Sequence, residues 1–191
     1  MPTITCTPGG ATDNSYITLA NATIYFANTL REVTWEGYSQ SQRERALIQA
    51  TAEIENLGGA KPVDSPSRPL FAGTPYDVST PQALHFPRSG DRTSGGTLIV
   101  PPGITSAVCE QAYWLLERNA NAPLVDRQQL QAEGVRQIGM DGLSETYVNT
   151  GVPLGIAPQA WLRVRSFVQQ AMRTRVGPSG ARQPQFRAVP D

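Results

Sequence analysis

Apolar residues recur at helical spacing in four stretches of the chain. Leu19, Ala22, Phe26 and Leu30 predict a first helix over 19–30, with Thr18 as its N-cap. Leu47, Ala50, Ile54 and Leu57 form the stripe of a second, capped by Ser41, with Arg43, Arg45, Glu53 and Glu55 facing out and Gly58-Gly59 ending it. The break Pro101-Pro102-Gly103 precedes a third over 104–120, whose inner face is Ile104, Val108, Ala112 and Leu115, flanked by Trp114 and Leu116. A fourth opens with Pro158 and carries Trp161, Val164, Val168 and Ala171 inward as far as residue 173.

The stretches between are of other kinds. Residues 1–14 read as an extended arm, and Trp35 falls in the connection between the first two helices. Residues 58–103 are irregular and rich in proline, with Leu70-Phe71 and Leu84–Phe86 as apolar anchors; such a length of loop is unusual unless it packs on a neighbour. Val135–Ile138 and Leu143–Val148 have strand texture around Gly139-Met140-Asp141-Gly142, a hairpin signal. Beyond Gly177 no periodicity remains. The expected fold is therefore mainly α: a four-helix core with a small β-hairpin, a long irregular loop and an extended C-terminal tail. It divides into an arm (1–14), a helical domain (15–174) and a tail (175–191). The expected core is Leu19, Phe26, Leu47, Ile54, Ile104, Val108, Leu115, Trp161, Val164 and Val168.

Composition adds limits. The chain has 191 residues, room for one domain, and its 39% hydrophobic content with 17 Gly and 16 Pro implies a modest core. No apolar run is long enough for a membrane span, and no secretory signal opens the chain, so the expected compartment is the cytosol. The formal net charge is zero, but residues 158–191 carry six arginines against Asp191, while residues 1–157 hold ten cations against fifteen acids. A basic end on an acidic body suggests a partner that is acidic where the tail lands.

Candidate chemistry is sparse. His85 is the single histidine, which excludes a histidine-based metal cluster and reads as a packed residue between Leu84 and Phe86. Gly90–Thr97 lacks the ending of a phosphate-binding loop. Glu53, Glu55, Glu110 and Glu117 read as solvated charges rather than acid/base pairs, and Cys109 as a small buried residue. No catalytic, cofactor or metal residues are assigned. Arg163, Arg165, Arg173 and Arg175 with Trp161, Phe167 and Phe186 could offer phosphate contacts and stacking. Trp161 and Val164, however, share one stripe, which is the signature of core packing.

Several short motifs together resemble the head–tail connector (adaptor) proteins of tailed bacteriophages, some of which carry a DnaT-like single-strand DNA-binding label. They are Tyr16, Thr18 and Leu19; Tyr25-Phe26-Ala27; Trp35; Ala46–Thr51; Gln82, Leu84, Phe86, Pro87 and Arg88; and Pro102-Gly103-Ile104. The resemblance spans 15–175; the loop 58–80 is longer than the family pattern and the tail beyond Gly177 has no matching motif. It implies a structural virion protein, not an enzyme, made in the host cytoplasm and built into the neck of the virion. Such subunits form a twelve-fold ring that binds the portal protein, extends the DNA channel for genome ejection and receives the next neck or tail component. Genomic DNA would pass through the lumen with little specific binding, and no cofactor or membrane is implied. The basic tail would dock on the portal through Arg175, Arg182, Phe186 and Arg187. The alternative is a phage single-stranded DNA-binding or replication accessory protein.

Overall fold

A computed structural model describes residues 2–57, 71, 73–74, 76, 82–120 and 155–168, together with the backbone of 137–140 and 143–146. Among these the protein is mainly helical, with five helices and one two-stranded antiparallel hairpin. The expectations for Leu70, Ala171 and the tail lie outside the described residues.

Helix α1 (Leu19–Ala27) starts where the sequence places it: Thr18 Oγ1 accepts from the Asn21 backbone N–H at 3.2 Å. It stops earlier than the apolar pattern suggests. Thr29 donates its N–H and its hydroxyl back to the Phe26 carbonyl, turning the chain, so Leu30 leaves the stripe and is fully exposed. The connection that follows is a helix in its own right, α2 (Glu32–Gly37), and Trp35 is its wholly buried residue. Trp35 stacks on Phe26 with ring centroids 4.3 Å apart, locking α2 against α1.

Helix α3 (Gln40–Leu57) is capped by Ser39, not Ser41. Ser39 Oγ accepts from the Gln42 N–H while Gln42 Oε1 accepts from the Ser39 N–H, a reciprocal capping box. Its buried stripe includes Leu47, Ala50 and Ile54, as the spacing predicts.

Helix α4 (Pro102–Ala120) begins two residues before the expected start, with Pro102 in the first turn, where proline lacks only an N–H that the helix would not use. Ile104, Val108 and Ala112 are buried, but the next position inward is Leu116 and Leu115 is only half-buried. The stripe continues by a step of four where three was expected. Helix α5 (Pro158–Val164) is shorter than the 158–173 read from the pattern. Residues 165–167 turn, the Phe167 N–H donates to the Val164 carbonyl, and Val168 pairs with Phe71 in an isolated bridge. Val164 is wholly buried, while Leu19, Trp161 and Val168 only pack against the core from its edge.

The core sits where α4 packs against α3 on one side and α5 on the other. Gly103 sets how closely α4 and α5 approach: a Cβ there would stand 2.8 Å from Phe167 Cε2 and 3.3 Å from the Arg163 carbonyl oxygen. The sequence marks this glycine only as a helix breaker. Of the apolar anchors of the irregular stretch, Phe71, Leu84 and Phe86 are partners of the core within the chain itself. Phe71 is wholly buried, Phe86 is 3% exposed, and their rings meet edge to face at 5.0 Å. The hairpin pairs β1 (Gln137–Met140) with β2 (Leu143–Thr146), Met140 opposite Leu143 and Gln137 opposite Thr146. Gly139 and Met140 belong to the strand, so only Asp141 and Gly142 separate the two in sequence.

Candidate functional site

The glutamates of α3 and α4 that read as solvated charges are tied into the fold, each by groups far away in sequence. Glu55 accepts from the Tyr16 hydroxyl, from the His85 backbone N–H at 2.9 Å and stands 2.5 Å from His85 Nδ1. Tyr16 OH in turn accepts from the Phe86 N–H at 3.0 Å. Burial, and then the adjacent carboxylate, raise the Tyr16 phenol well above its usual value. His85 is thus packed, as expected, and its role is to hold the 82–88 segment onto α3.

The same device recurs twice. Glu110 accepts from the Tyr25 hydroxyl at 2.7 Å and pairs with Arg31, whose guanidinium also lies 4.8 Å from the Tyr113 ring centroid. Glu117 accepts from the Tyr38 hydroxyl at 2.9 Å. Burial first, and then the hydrogen bond to Glu117, push the Tyr38 phenol up to about 12; Tyr25 is raised for the same reasons. Glu53 completes the set, accepting from Gln111 Nε2 at 2.5 Å and from Gln49 at 3.0 Å. The N-terminal third is therefore cross-tied to α3 and α4 by phenol–carboxylate bonds.

Two buried polar residues have no counterpart in the sequence reading. Gln111, wholly buried on α4, donates to the Gly155 carbonyl at 2.8 Å and accepts from the Ala157 N–H at 2.7 Å, joining α3, α4 and the entry to α5. Arg88 ends the Phe-Pro-Arg motif and is 5% exposed. Its Nη1 donates to the Gly73 carbonyl at 3.3 Å and its Cζ lies 5.3 Å from the Phe86 ring centroid, while Nε and Nη2 have no hydrogen-bond partner among the described residues. Burial lowers its pKa.

Other arginines lie on aromatic faces: Arg43 near Trp35, Arg92 over Tyr76, Arg118 over Trp114. Of the group read as a possible nucleic-acid surface, Arg163 and Arg165 are exposed, Trp161 is half-buried and Phe167 packs edge to face on Phe86 at 5.7 Å. Arg173, Arg175 and Phe186 lie outside the described residues, as do Arg182 and Arg187 of the expected docking tail. Cys109 is wholly buried, and desolvation raises its thiol pKa. Among the described residues no cluster of histidine, cysteine and carboxylates could hold a metal ion, and no helix is long and apolar enough to cross a membrane.

Two surface features stand out instead. The α1–α2 corner exposes Ile24 (62%), Leu30 (105%) and Val33 (82%). Between α3 and α4 lies a groove of about 560 Å³, with Ala46, Leu115 and Leu116 in its wall and Arg45 and Arg118 beside them.

The family described as "Putative DnaT-like ssDNA binding protein" matches residues 3–172, and the chain belongs to that family. Comparison with curated proteins and with solved structures returned no match. The family's description sits against the expectation of little specific DNA binding.

Proposed function

We propose that this member of the family is a structural, ring-forming head-to-tail adaptor of a tailed phage, which binds the portal vertex and extends the DNA channel toward the neck. The observation that carries the reading is the α1–α2 corner, where the large apolar side chains of Ile24, Leu30 and Val33 stand in solvent. Isolated exposed apolar residues are ordinary, but three within ten positions on one corner mark a protein-facing surface. The resemblance of the Tyr-x-Thr-Leu, Ala-Leu-Ile-Gln-Ala-Thr and Phe-Pro-Arg motifs to connector proteins supports the same reading. In it the chain is not an enzyme, works in the virion and uses no cofactor.

The docking element on the portal would be the basic tail, with Phe186 as an apolar anchor and Arg175, Arg182 and Arg187 pairing with acidic groups. The test is deletion of residues 177–191 followed by attachment to DNA-filled heads. Loss of attachment with an unchanged melting curve is expected; full attachment and neck assembly would remove the tail from the docking role.

The family's description favours a second reading, a phage protein that binds single-stranded DNA directly. The exposed Arg163 and Arg165 would begin the phosphate track, and Arg173 with the three arginines of the tail would extend it. Six phosphate contacts on a single strand predict that log K falls with log salt at a slope of about −4. Fluorescence anisotropy with a labelled oligonucleotide would show it. Binding with that slope, together with no attachment to heads, selects this reading over the adaptor.

A further inference from the structure

The exposed corner and the α3–α4 groove are complementary, and we propose that they are the two halves of one contact between successive copies of this chain. The outward position of the knob follows from the use made of the inner faces. Ala22 and Phe26 on α1, and Trp35 on α2, are spent on the core, so Ile24 and Val33, two positions away, must point outward. Leu30, in the turn between, is the most exposed of the three. Acidic residues border it: Glu32 beside Val33, and Glu36 one turn further along the same face.

The groove offers the opposite set. Half-buried Leu115, with the edges of Ala46 and Leu116, gives a narrow apolar strip among Gln42, Gln49 and Asn119, and Arg45 and Arg118 supply cations next to it. Its about 560 Å³ falls within the range that ordinarily receives a bound group. The one acid in its lining, Glu53, accepts from the neutral amides of Gln111 and Gln49 and keeps its charge, which the two cations Arg45 and Arg118 outnumber. Leu30 would thus meet the strip at Leu115 while Glu32 and Glu36 meet Arg45 and Arg118.

Knob and groove lie on different surfaces, so the contact is head-to-tail. A copy that gives its knob to one neighbour keeps its groove for another, which closes into a ring when the rotation allows and otherwise runs on as a filament. The use of this contact in a closed ring rests on the adaptor reading; the contact itself stands on the two surfaces.

The experiment is sedimentation velocity on the full chain across a concentration series, with circular dichroism to confirm that each variant is folded. The wild type should self-associate, and Leu30→Asp should weaken association at least about thirtyfold, as expected for a buried anchor. Glu36→Arg and Arg118→Glu should each weaken it, and the two combined in one chain should restore it, because the swapped charges meet again across the contact. A wild type that stays monomeric at every concentration, association indifferent to Leu30→Asp, or a combined variant no better than the single ones would each overturn the proposal. Head attachment separates its failure from that of the adaptor reading. If Leu30→Asp leaves association and attachment at wild-type levels, the corner is not the contact; the adaptor reading then loses the corner as its support and rests on the motif resemblance and the tail deletion. If the charge swap restores association but no variant, nor the wild type, attaches to heads, the contact stands and the adaptor reading falls.

Discussion

Replacement of Glu55 by alanine separates two accounts of the same residue. On a solvated helix face the change would be nearly neutral, within about 0.5 kcal/mol, and the better helix propensity of alanine could even favour it. In the structure Glu55 is a partly buried acceptor whose side chain is 14% exposed, and it holds the Tyr16 hydroxyl, the His85 N–H and the His85 ring together. A hydrogen bond to a charged group contributes about 1.5–3 kcal/mol, and a buried donor left without an acceptor costs about 1–3 kcal/mol. Because Tyr16 is almost wholly buried and cannot recover its bond from water, Glu55→Ala is expected to cost about 3–4 kcal/mol.

Tyr16→Phe supplies the second arm of a double-mutant cycle. It removes the phenol that donates to Glu55 and that accepts from the Phe86 N–H. The combined variant should lose less than the two single ones together, by roughly 1.5 kcal/mol of coupling. Urea unfolding followed by tryptophan fluorescence suits the purpose, since Trp35 stacks on Phe26 in the core and reports its loss. A cost below about 0.5 kcal/mol for Glu55→Ala, or a coupling near zero, would refute the tie between the N-terminal segment, α3 and the 82–88 loop.

The remaining predictions concern the core, the helix contact and pH. Leu47→Ala should cost about 2–5 kcal/mol in the same assay, because Leu47 is wholly buried at the centre of the α3 stripe; an unchanged midpoint would sink its assignment to the core. Gly103→Ala should destabilise by about 1–3 kcal/mol through the clash with Phe167 and the Arg163 carbonyl, and Phe167→Ala in the same chain should relieve part of it. Tyr16, Tyr25 and Tyr38 all have raised pKa values, so the stability they lend is complete below pH 10 and is lost as pH rises above it. For Tyr16 the slope is about 1.4 kcal/mol per pH unit once the unfolded phenol ionises, with smaller increments from the more exposed pair. The buried Cys109 thiol, also raised, would titrate in the same window, so the measurement is made on Cys109→Ala; there a stability flat from pH 9 to about 11.5 would contradict the phenol–carboxylate ties.

The long helices were legible because burial on one face imposes its period directly: Leu47, Ala50 and Ile54 on α3 and Ile104, Val108 and Ala112 on α4 lie inward as their spacing requires. Helix α2 was not, because six residues with Val33 and Thr34 among them give neither a period nor a cap. The α5 end was overextended for a related reason: Val168 continues the stripe in sequence but finds its burial by pairing with Phe71, almost a hundred residues away. The polar ties were illegible in principle. A glutamate on a helix looks solvated unless its donor is known, and the donors to Glu55, Glu110 and Glu117 stand 30 to 85 positions off. Gln111 and Arg88 show the same thing, since nothing local tells a buried polar residue from an exposed one. One part of the exposed corner did carry a signal: Ile24 falls off the apolar stripe of α1, whereas Leu30 fits that stripe in sequence.

The distribution of arginine bears on both functional readings. In the body Arg31, Arg43, Arg92 and Arg118 lie against rings and Arg88 is buried beneath two of them, so these cations serve the fold before they can serve a partner. A strand of DNA drawn to them would have to break cation–π contacts of about 0.5–2 kcal/mol each, which would offset part of what each phosphate contributes. The exposed Arg163 and Arg165 carry no such cost, and they open the stretch in which six arginines face one acid. An acidic portal surface and a nucleic-acid backbone would therefore be met by the same residues, through the same charge. What distinguishes the two partners is apolar: a single strand has no use for Leu30 and Val33 on the opposite part of the sequence, whereas a neighbouring subunit does. The exposed corner, rather than the arginines, is where the two readings part.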